Sequence, residues 1–188
     1  MASAVEIVGD SVFACGADLI AKLRHDSQQQ QQQQLLLAPA GAPPPPVYVY
    51  RYDYRSLTMD YCDPLRLLLG VYHTAELPFV FNQTGAGLEW AKNCTGFGPQ
   101  QAQVVLAMHR RWAAFARTGV PDLEDAAAGG GDGEAEAEEA TAALKWPRYV
   151  PASSPHLLFE HQPRVERNYK REKCTWWDEF LLSSGAAV

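Results

Sequence analysis

Residues 70–81 read Gly70-Val71-Tyr72-His73-Thr74-Ala75-Glu76-Leu77-Pro78-Phe79-Val80-Phe81. This stretch follows a leucine-rich run, and Pro78 lacks the backbone N–H that a helix interior requires. The pattern therefore predicts that His73 lies on a loop between two apolar segments, where its imidazole is free to face a cleft. A lone loop histidine is usually a structural or surface residue, so the interpretation of His73 depends on the segments around it.

Further landmarks flank this stretch on both sides. They are Ile7–Asp10 leading into Cys15, Tyr48–Tyr52, Trp112–Pro121, Trp146–Tyr149 and Cys174–Asp178. Together with the His-x-x-Glu-Leu-Pro-Phe-Val-Phe string, these segments resemble the C-terminal part of the type-B carboxylesterase and cholinesterase family of α/β-hydrolases, in the family's order. The resemblance implies an α/β fold over residues 1–188, the C-terminal part of an α/β-hydrolase with an incomplete sheet and flanking helices.

The resemblance also implies a role for His73. In α/β-hydrolases the triad residues occur in the order nucleophile, acid, histidine, so the histidine falls in a C-terminal part. His73 would be the general base, and Glu76 would steady its loop, a plain solvated carboxylate being the alternative for Glu76. Thr74 stands where the family usually has a glycine. The chain contains no Gly-x-Ser-x-Gly elbow, and the family's acid is expected upstream of Met1.

Three functions follow from this resemblance. The first is an ester hydrolase that acts on a small-molecule carboxylic ester by serine-histidine-acid acyl transfer, with the missing N-terminal part of the hydrolase domain as its partner. The second is a catalytically inactive, cholinesterase-like adhesion or binding protein, and the third is a truncated product without a stable function. No cofactor and no metal are expected in any of them.

Four cysteines without a C-x-x-C spacing argue against a zinc site and favour disulfides, and the sequence alone allows three connectivities. The resemblance implies a bridge between Cys15 and Cys174, worth on the order of 4 kcal/mol because it closes a long loop. Two buried free thiols are the alternative in a reducing compartment. A second bridge between Cys62 and Cys94 remains open.

Disulfides and two glycosylation-type sequons, at Asn82 and Asn93, favour a secreted or secretory-pathway protein. The N-terminus has no basic region followed by an apolar core, so any signal sequence is expected upstream of this chain. No apolar run is long enough to predict a membrane span.

The net charge of −6 comes from one segment, since eight of the 22 acidic residues lie between Asp122 and Glu139 with no basic residue among them. We predict that 122–144 is a low-complexity insert and that 26–46, with its glutamine run and consecutive prolines, is a second, unstructured one. The basic cluster from Arg164 to Lys173 is predicted to be a solvated face of the last helix. It lacks the interleaved aromatic residues of a nucleic-acid site.

The remaining pattern predicts five elements. Asp10 or Ser11 caps a helix that buries Val12, Phe13, Leu19, Ile20 and Leu23. Val47–Tyr54 forms a strand covered on both faces, and Leu157–Phe159 forms a short one. A helix from Pro99 to Gly119 packs through Val104, Val105, Met108, Trp112 and Phe115, with Arg110 and Arg111 solvated. Trp176, Trp177, Phe180 and Leu181 anchor the last helix.

Overall fold

The computed structural model describes residues 4–37, 44–55, 70–81, 99–122 and 144–183. Their elements are, in chain order, α1 (Ala4–Val8), a π-helical turn (Gly9–Ala14), α2 (Cys15–Leu37), β1 (Tyr50–Tyr52), α3 (Leu77–Val80), α4 (Pro99–Thr118), β2 (His156–Phe159), β3 (Arg164–Glu166) and α5 (Arg171–Ser183). The chain forms two compact units, one of residues 1–49, 147–156 and 166–188, the other of residues 50–146 and 157–165.

A disulfide ties the two long helices of the first unit together. Cys15 at the start of α2 is bonded to Cys174 on α5, with the two Cα atoms 4.8 Å apart, which confirms the predicted pairing. Both cysteines are buried. Because the bridge spans 159 residues of sequence, it removes much of the freedom of the unfolded chain, a stabilisation on the order of 4 kcal/mol.

A buried carboxylate lies one turn before that bridge. Asp10, only 3% exposed, belongs to the π-helical turn and forms ion pairs with Lys170 and with Lys173, whose Nζ lies 3.3 Å from Asp10 Oδ2. The prediction that Asp10 caps a helix is wrong, since the helical chain already begins at Ala4. Two members of the basic cluster are therefore paired with a buried charge, which corrects the prediction of a purely solvated face.

A second polar group joins α2 to α5. Lys22 Nζ lies 2.8 Å from Asp18 Oδ2 and 2.6 Å from Asp178 Oδ2, so one ammonium links the two helices. The Tyr149 hydroxyl donates to Asp18 Oδ1 at 2.9 Å, and burial, with the neighbouring carboxylate, raises the pKa of Tyr149 to about 12. Tyr149 therefore keeps its proton and holds its segment against α2.

Helix α2 extends through the glutamine run to Leu37, so the prediction of an unstructured insert is wrong for residues 26–37. No proline or glycine interrupts the chain between Gly16 and Pro39, and glutamine and leucine are both good helix formers. The run is mostly exposed, which agrees with the expectation that it does not pack.

Large apolar side chains remain on the surface of this unit. Leu19 is buried as predicted, but the other four residues predicted to be buried with it are 41–61% exposed: Val12, Phe13, Ile20 and Leu23. On α5, Trp176 stacks on Phe180 with the ring centroids 5.6 Å apart, yet both are at least half exposed. The bridge and Asp178, rather than these aromatic residues, attach α5.

The second unit contains the core of the sheet. Its strands lie in the order β1-β2-β3, and β1 pairs with β2 in parallel through Tyr50–Leu157, Arg51–Leu158 and Tyr52–Phe159. A parallel pair flanked by helices confirms the predicted α/β class. The strand predicted over residues 47–54 is shorter in the structure. Its pairing with β2 extends one residue further, through a hydrogen bond that Asp53 N donates to Phe159 O.

Helix α4 packs against α3 and ends at Gly119, whose φ of +73° is the left-handed conformation of a helix stop. Val104, Val105 and Met108 are buried as predicted, whereas Trp112 and Phe115 are 38% and 39% exposed. Arg111, predicted to be solvated, is completely buried; its neighbour Arg110 is exposed.

Arg111 holds together the two chain segments that flank residues 123–143. Its guanidinium donates to the Leu144 carbonyl at 2.7 Å and to the Pro121 carbonyl at 3.4 Å. Asp122 completes this clasp by accepting a hydrogen bond from Trp146 N at 2.7 Å. Burial lowers the pKa of the Arg111 guanidinium, and the charge of Asp122 partly offsets that effect.

Asp10→Asn is expected to weaken the acid dependence of stability. Burial raises the pKa of the Asp10 carboxyl, but hydrogen bonds and charges from Lys170 and Lys173 outweigh it and leave the pKa below the ordinary 3.8. The unfolded carboxyl therefore binds protons at higher pH than the folded one, so the stabilisation is complete above the ordinary pKa and is lost as pH falls through the folded pKa.

The measurement is urea unfolding of the wild type and of Asp10→Asn across acidic to neutral pH. Glu179→Gln, at an exposed carboxylate on α5, is the control and should follow the wild type. A wild type and an Asp10→Asn variant that lose stability in parallel on acidification would show that Asp10 does not carry this dependence.

Arg111→Met is expected to lower the free energy of unfolding by about 2–3 kcal/mol, because two carbonyls lose their buried donor. Arg110→Met changes the adjacent, exposed side chain and should stay within about 0.5 kcal/mol of the wild type. Chemical denaturation of both variants measures the difference. Equal stabilities would mean that the clasp contributes nothing.

Candidate functional site

His73 lies in a tight turn, as predicted from its sequence, and its side chain is exposed. Ala75 N donates to Tyr72 O at 3.1 Å, which closes a β-turn with His73 at its second position. Leu77 N then donates to Thr74 O at 3.1 Å and leads into the short helix α3, which has Pro78 in its first turn. Pro78 is tolerated there because the first turn of a helix needs no internal donor.

A buried aromatic contact fixes this turn relative to β1. Phe79 on α3 is fully buried, with its ring centroid 5.3 Å from that of Tyr52 and 5.4 Å from that of Tyr54. Tyr52 is the last residue of β1, and Tyr54 follows it by two residues. The helix that follows His73 is therefore packed against the edge of the sheet where α/β proteins place their ligand sites.

The other end of the segment also lies near this edge. Gly70 has a φ of +71°, and a Cβ built there would lie 3.9 Å from a guanidinium nitrogen of Arg55. Arg55 follows β1 by three residues. The His73 turn is thus bracketed by two contacts with the chain that leaves β1.

An open cleft of about 420 Å³ lies at the carboxyl ends of the two parallel strands. It is lined by residues that follow β1 and residues that follow β2: Asp53, Tyr54, Arg55, Glu160, His161 and Gln162. His73 is not among these lining residues. The cleft was not predicted from the sequence, although three residues directly after each of two strands were a usable signal.

Glu76 takes part in the turn through its backbone. Its carbonyl accepts hydrogen bonds from Phe79 N and Val80 N, both at 2.9 Å, and so begins α3. Its carboxylate acts on β1: burial, and then the charge of Glu76, raise the pKa of Tyr50. A direct steadying of the imidazole by the Glu76 side chain stays a prediction.

Several predicted features lie outside the described residues, namely Cys62, Cys94 and the sequons at Asn82 and Asn93. Within the described ranges, no group of three or more histidine, cysteine, aspartate or glutamate side chains is arranged to hold a metal ion. Across the same ranges, no helix combines the length and the apolar character needed to cross a bilayer.

A family model described as the carboxylesterase family matches residues 1–177. Among characterised proteins, the chain is 27% identical over 136 residues to an acetylcholinesterase of Danio rerio and 28% identical over 136 residues to that of Electrophorus electricus. Each match covers 72% of this chain and 18% of the relative. The chain thus spans about a fifth of the length of the relatives it matches.

Solved structures give similar matches. A Geobacillus stearothermophilus carboxylesterase is 29% identical, with a TM-score of 0.45 over 70% of this chain and 22% of that protein. A thermophilic PNB esterase is 20% identical, also with a TM-score of 0.45, over 70% of this chain and 22% of its own.

Glu76→Gln is expected to lower the pKa of Tyr50, because a neutral amide no longer opposes formation of the phenolate. The pKa should remain above the ordinary value of 10.0, since burial of the ring is unchanged. Ultraviolet titration of the phenolate measures it, with Tyr50→Phe identifying the Tyr50 transition. Glu179→Gln, on exposed α5 surface, should leave that transition in place; an equal response to both variants would contradict a specific effect of Glu76.

Proposed function

The chain belongs to the carboxylesterase family, and from that premise we propose that it supplies the general base, His73, of a serine ester hydrolase acting on a small-molecule carboxylic ester. The nucleophilic serine and the triad acid would come from the part of the hydrolase domain outside these 188 residues. The observation that carries the proposal is the exposed imidazole of His73, held on a turn that Phe79 fixes to the carboxyl end of a parallel strand.

In this reaction His73 acts first as a general base and then as a general acid. The neutral imidazole accepts the proton of the serine hydroxyl as the serine oxygen attacks the ester carbonyl, and a tetrahedral intermediate forms. The imidazolium then gives that proton to the departing alkoxide, which leaves as the alcohol and yields an acyl-serine. In the second half, His73 takes a proton from water as the water oxygen attacks the acyl carbon. The imidazolium then returns that proton to the serine oxygen as the acyl–serine bond breaks and the carboxylic acid leaves.

Both steps require an imidazole that reaches a reacting oxygen and stays at one place. Exposure of the His73 side chain provides access. The anchored α3 holds the turn at the edge of the sheet. A general base must lie within hydrogen-bond reach of the proton it takes, so an anchored turn favours a catalytic rather than a solvated role.

The exposed apolar surface of the first unit supports a protein partner that belongs to the same domain. Along the N-terminal helices, three side chains are each more than half exposed: Val5, Val12 and Ile20. On α5, Trp176 is also more than half exposed and Phe180 is half exposed. Covering such surface would stabilise the unit at about 25 cal/mol per Å² of apolar area. The rest of the hydrolase domain, four fifths of the relatives' length, is the proposed cover.

The second unit supports the same partner independently. Among the described strands, β1 lies at one end of the sheet. Parallel strands are normally buried within larger sheets, so an additional strand from the upstream part of the domain is the expected occupant of that edge.

A secretory-pathway location is proposed from the disulfide. A bridge such as Cys15–Cys174 persists in oxidising compartments and is rare in the cytosol. Occupied glycosylation at Asn82 or Asn93 would agree with this location.

The test is ester hydrolysis by the full-length natural protein and its His73→Ala variant. Loss of a triad histidine should lower kcat by about 10⁶-fold. His25→Ala removes a histidine of α2 that does not line the cleft, and should keep activity within a few-fold of the wild type.

Labelling with a fluorophosphonate separates the alternatives. A labelled serine together with an inactive His73→Ala variant supports the hydrolase. A full-length protein that neither hydrolyses esters nor takes the label would instead favour the inactive adhesion or binding protein. Normal activity of His73→Ala would remove His73 from the site.

A further inference from the structure

Thr74, the residue after His73, has a backbone conformation that its side chain disfavours. Its φ is +75°, in the left-handed region. It occupies the third position of the turn that Ala75 N closes on Tyr72 O, and a positive φ at that position is the mark of a type II turn. That position normally takes glycine or asparagine, and for a β-branched residue it is a genuine outlier.

Thr74 differs in side-chain shape from the other non-glycine residues of positive φ. The non-glycine residues of positive φ in the described chain are Thr74, Ser154, Asn168 and Lys170, and Thr74 alone among them is β-branched. The Thr74 side chain is exposed, so burial of its methyl group does not offset the unfavourable backbone. The contacts on either side of Thr74 must therefore impose its conformation. The Thr74 carbonyl accepts a hydrogen bond from Leu77 N, and the next residue, Ala75, is held in place by burial, with 1% of its surface exposed.

We propose that Thr74 is a positioning residue for His73, and that its side chain sets the balance between two states of the turn. In the second state, a type I turn, the φ of Thr74 is negative and the peptide between His73 and Thr74 is flipped. The flip changes ψ of His73, and the rotamers open to a side chain depend on its φ and ψ. The backbone state of Thr74 therefore decides where the imidazole points; the catalytic consequence rests on the proposed function.

Threonine, as a β-branched residue, favours the type I turn over the type II turn observed in the structure. Replacing it by a residue that tolerates positive φ should populate the observed turn more fully. Asparagine is the sharper replacement, because it tolerates the left-handed region without the extra freedom that glycine adds to the unfolded chain. Valine has nearly the shape of threonine and keeps the β-branch, so it is the matched control for loss of the hydroxyl.

The first measurement is thermal unfolding of Thr74→Asn, Thr74→Gly and Thr74→Val in the full-length protein. We expect Thr74→Asn to raise Tm by about 2–4 °C, Thr74→Gly to raise it less, and Thr74→Val not to raise it. A Thr74→Asn variant no more stable than Thr74→Val would overturn the proposal, because the backbone would then carry no strain to relieve.

The second measurement follows His73 itself. In the wild type and Thr74→Val, the imidazole Cε1–H resonance should be broadened or doubled by exchange between the two turns, and it should become one sharp signal in Thr74→Asn. In the hydrolase, kcat should rise a few-fold in Thr74→Asn with KM unchanged. Identical ring resonances in all three proteins would overturn the positioning role even if Tm changes as expected.

These readouts keep the two proposals apart. If the protein is no esterase, kcat disappears, but the Tm order and the ring resonance still test the turn. If His73→Ala abolishes activity while the Thr74 variants match the wild type in all three readouts, His73 is the base and the proposal for Thr74 is wrong.

Discussion

Two tyrosines from the end of one short strand close over Phe79, and the position of the His73 turn depends on this contact. The three rings lie in tilted and edge-on arrangements typical of aromatic pairs, and Phe79 has no exposed surface. A turn of four residues has little stability of its own, because its few hydrogen bonds do not offset the entropy of ordering the chain. The buried ring anchors the turn to the sheet, and an imidazole on an anchored turn can serve chemistry.

In the first unit, covalent and ionic links hold the helices in place. Its helices leave much of their apolar surface exposed, so hydrophobic burial alone gives them little reason to stay together. The Cys15–Cys174 bridge, the Asp10 ion pairs and Lys22 between two carboxylates act at successive turns of the N-terminal helices. A charge as buried as that of Asp10 is costly unless it is paired. Its partners are Lys173 on α5 and Lys170, directly before α5.

The sequence was informative where its signal was local. Pro99 and Gly119 bound α4 as helix start and stop residues do, and Pro78 kept His73 out of a long helix. The pairing of Cys15 with Cys174 and the role of His73 came from resemblance to a family, since spacing alone left three disulfide patterns open. Of the candidate site, the sequence supplied the histidine and its loop but neither the cleft nor the conformation of Thr74.

What the sequence did not predict depends on contacts between distant segments. Arg110 and Arg111 are the same residue type at adjacent positions, and only the carbonyls of Pro121 and Leu144 make one of them buried. Val12, Phe13, Ile20 and Leu23 have helical spacing, but the face that turns inward carries Asp10, Cys15 and Leu19 because the bridge and the ion pairs lie there. The glutamine run is helical because no helix-breaking residue interrupts it before Pro39.

The Arg111 clasp has a consequence for how this chain tolerates change. The peptide enters and leaves the acidic segment at two carbonyls that share one buried cation, so the ends of the segment meet at a closed neck. Lengthening a loop whose ends are already held together costs little, about 0.6 kcal/mol for each doubling. Changes of length between Asp122 and Leu144 should therefore leave these two ends in place. A second domain inserted between them is expected to cost little free energy of unfolding.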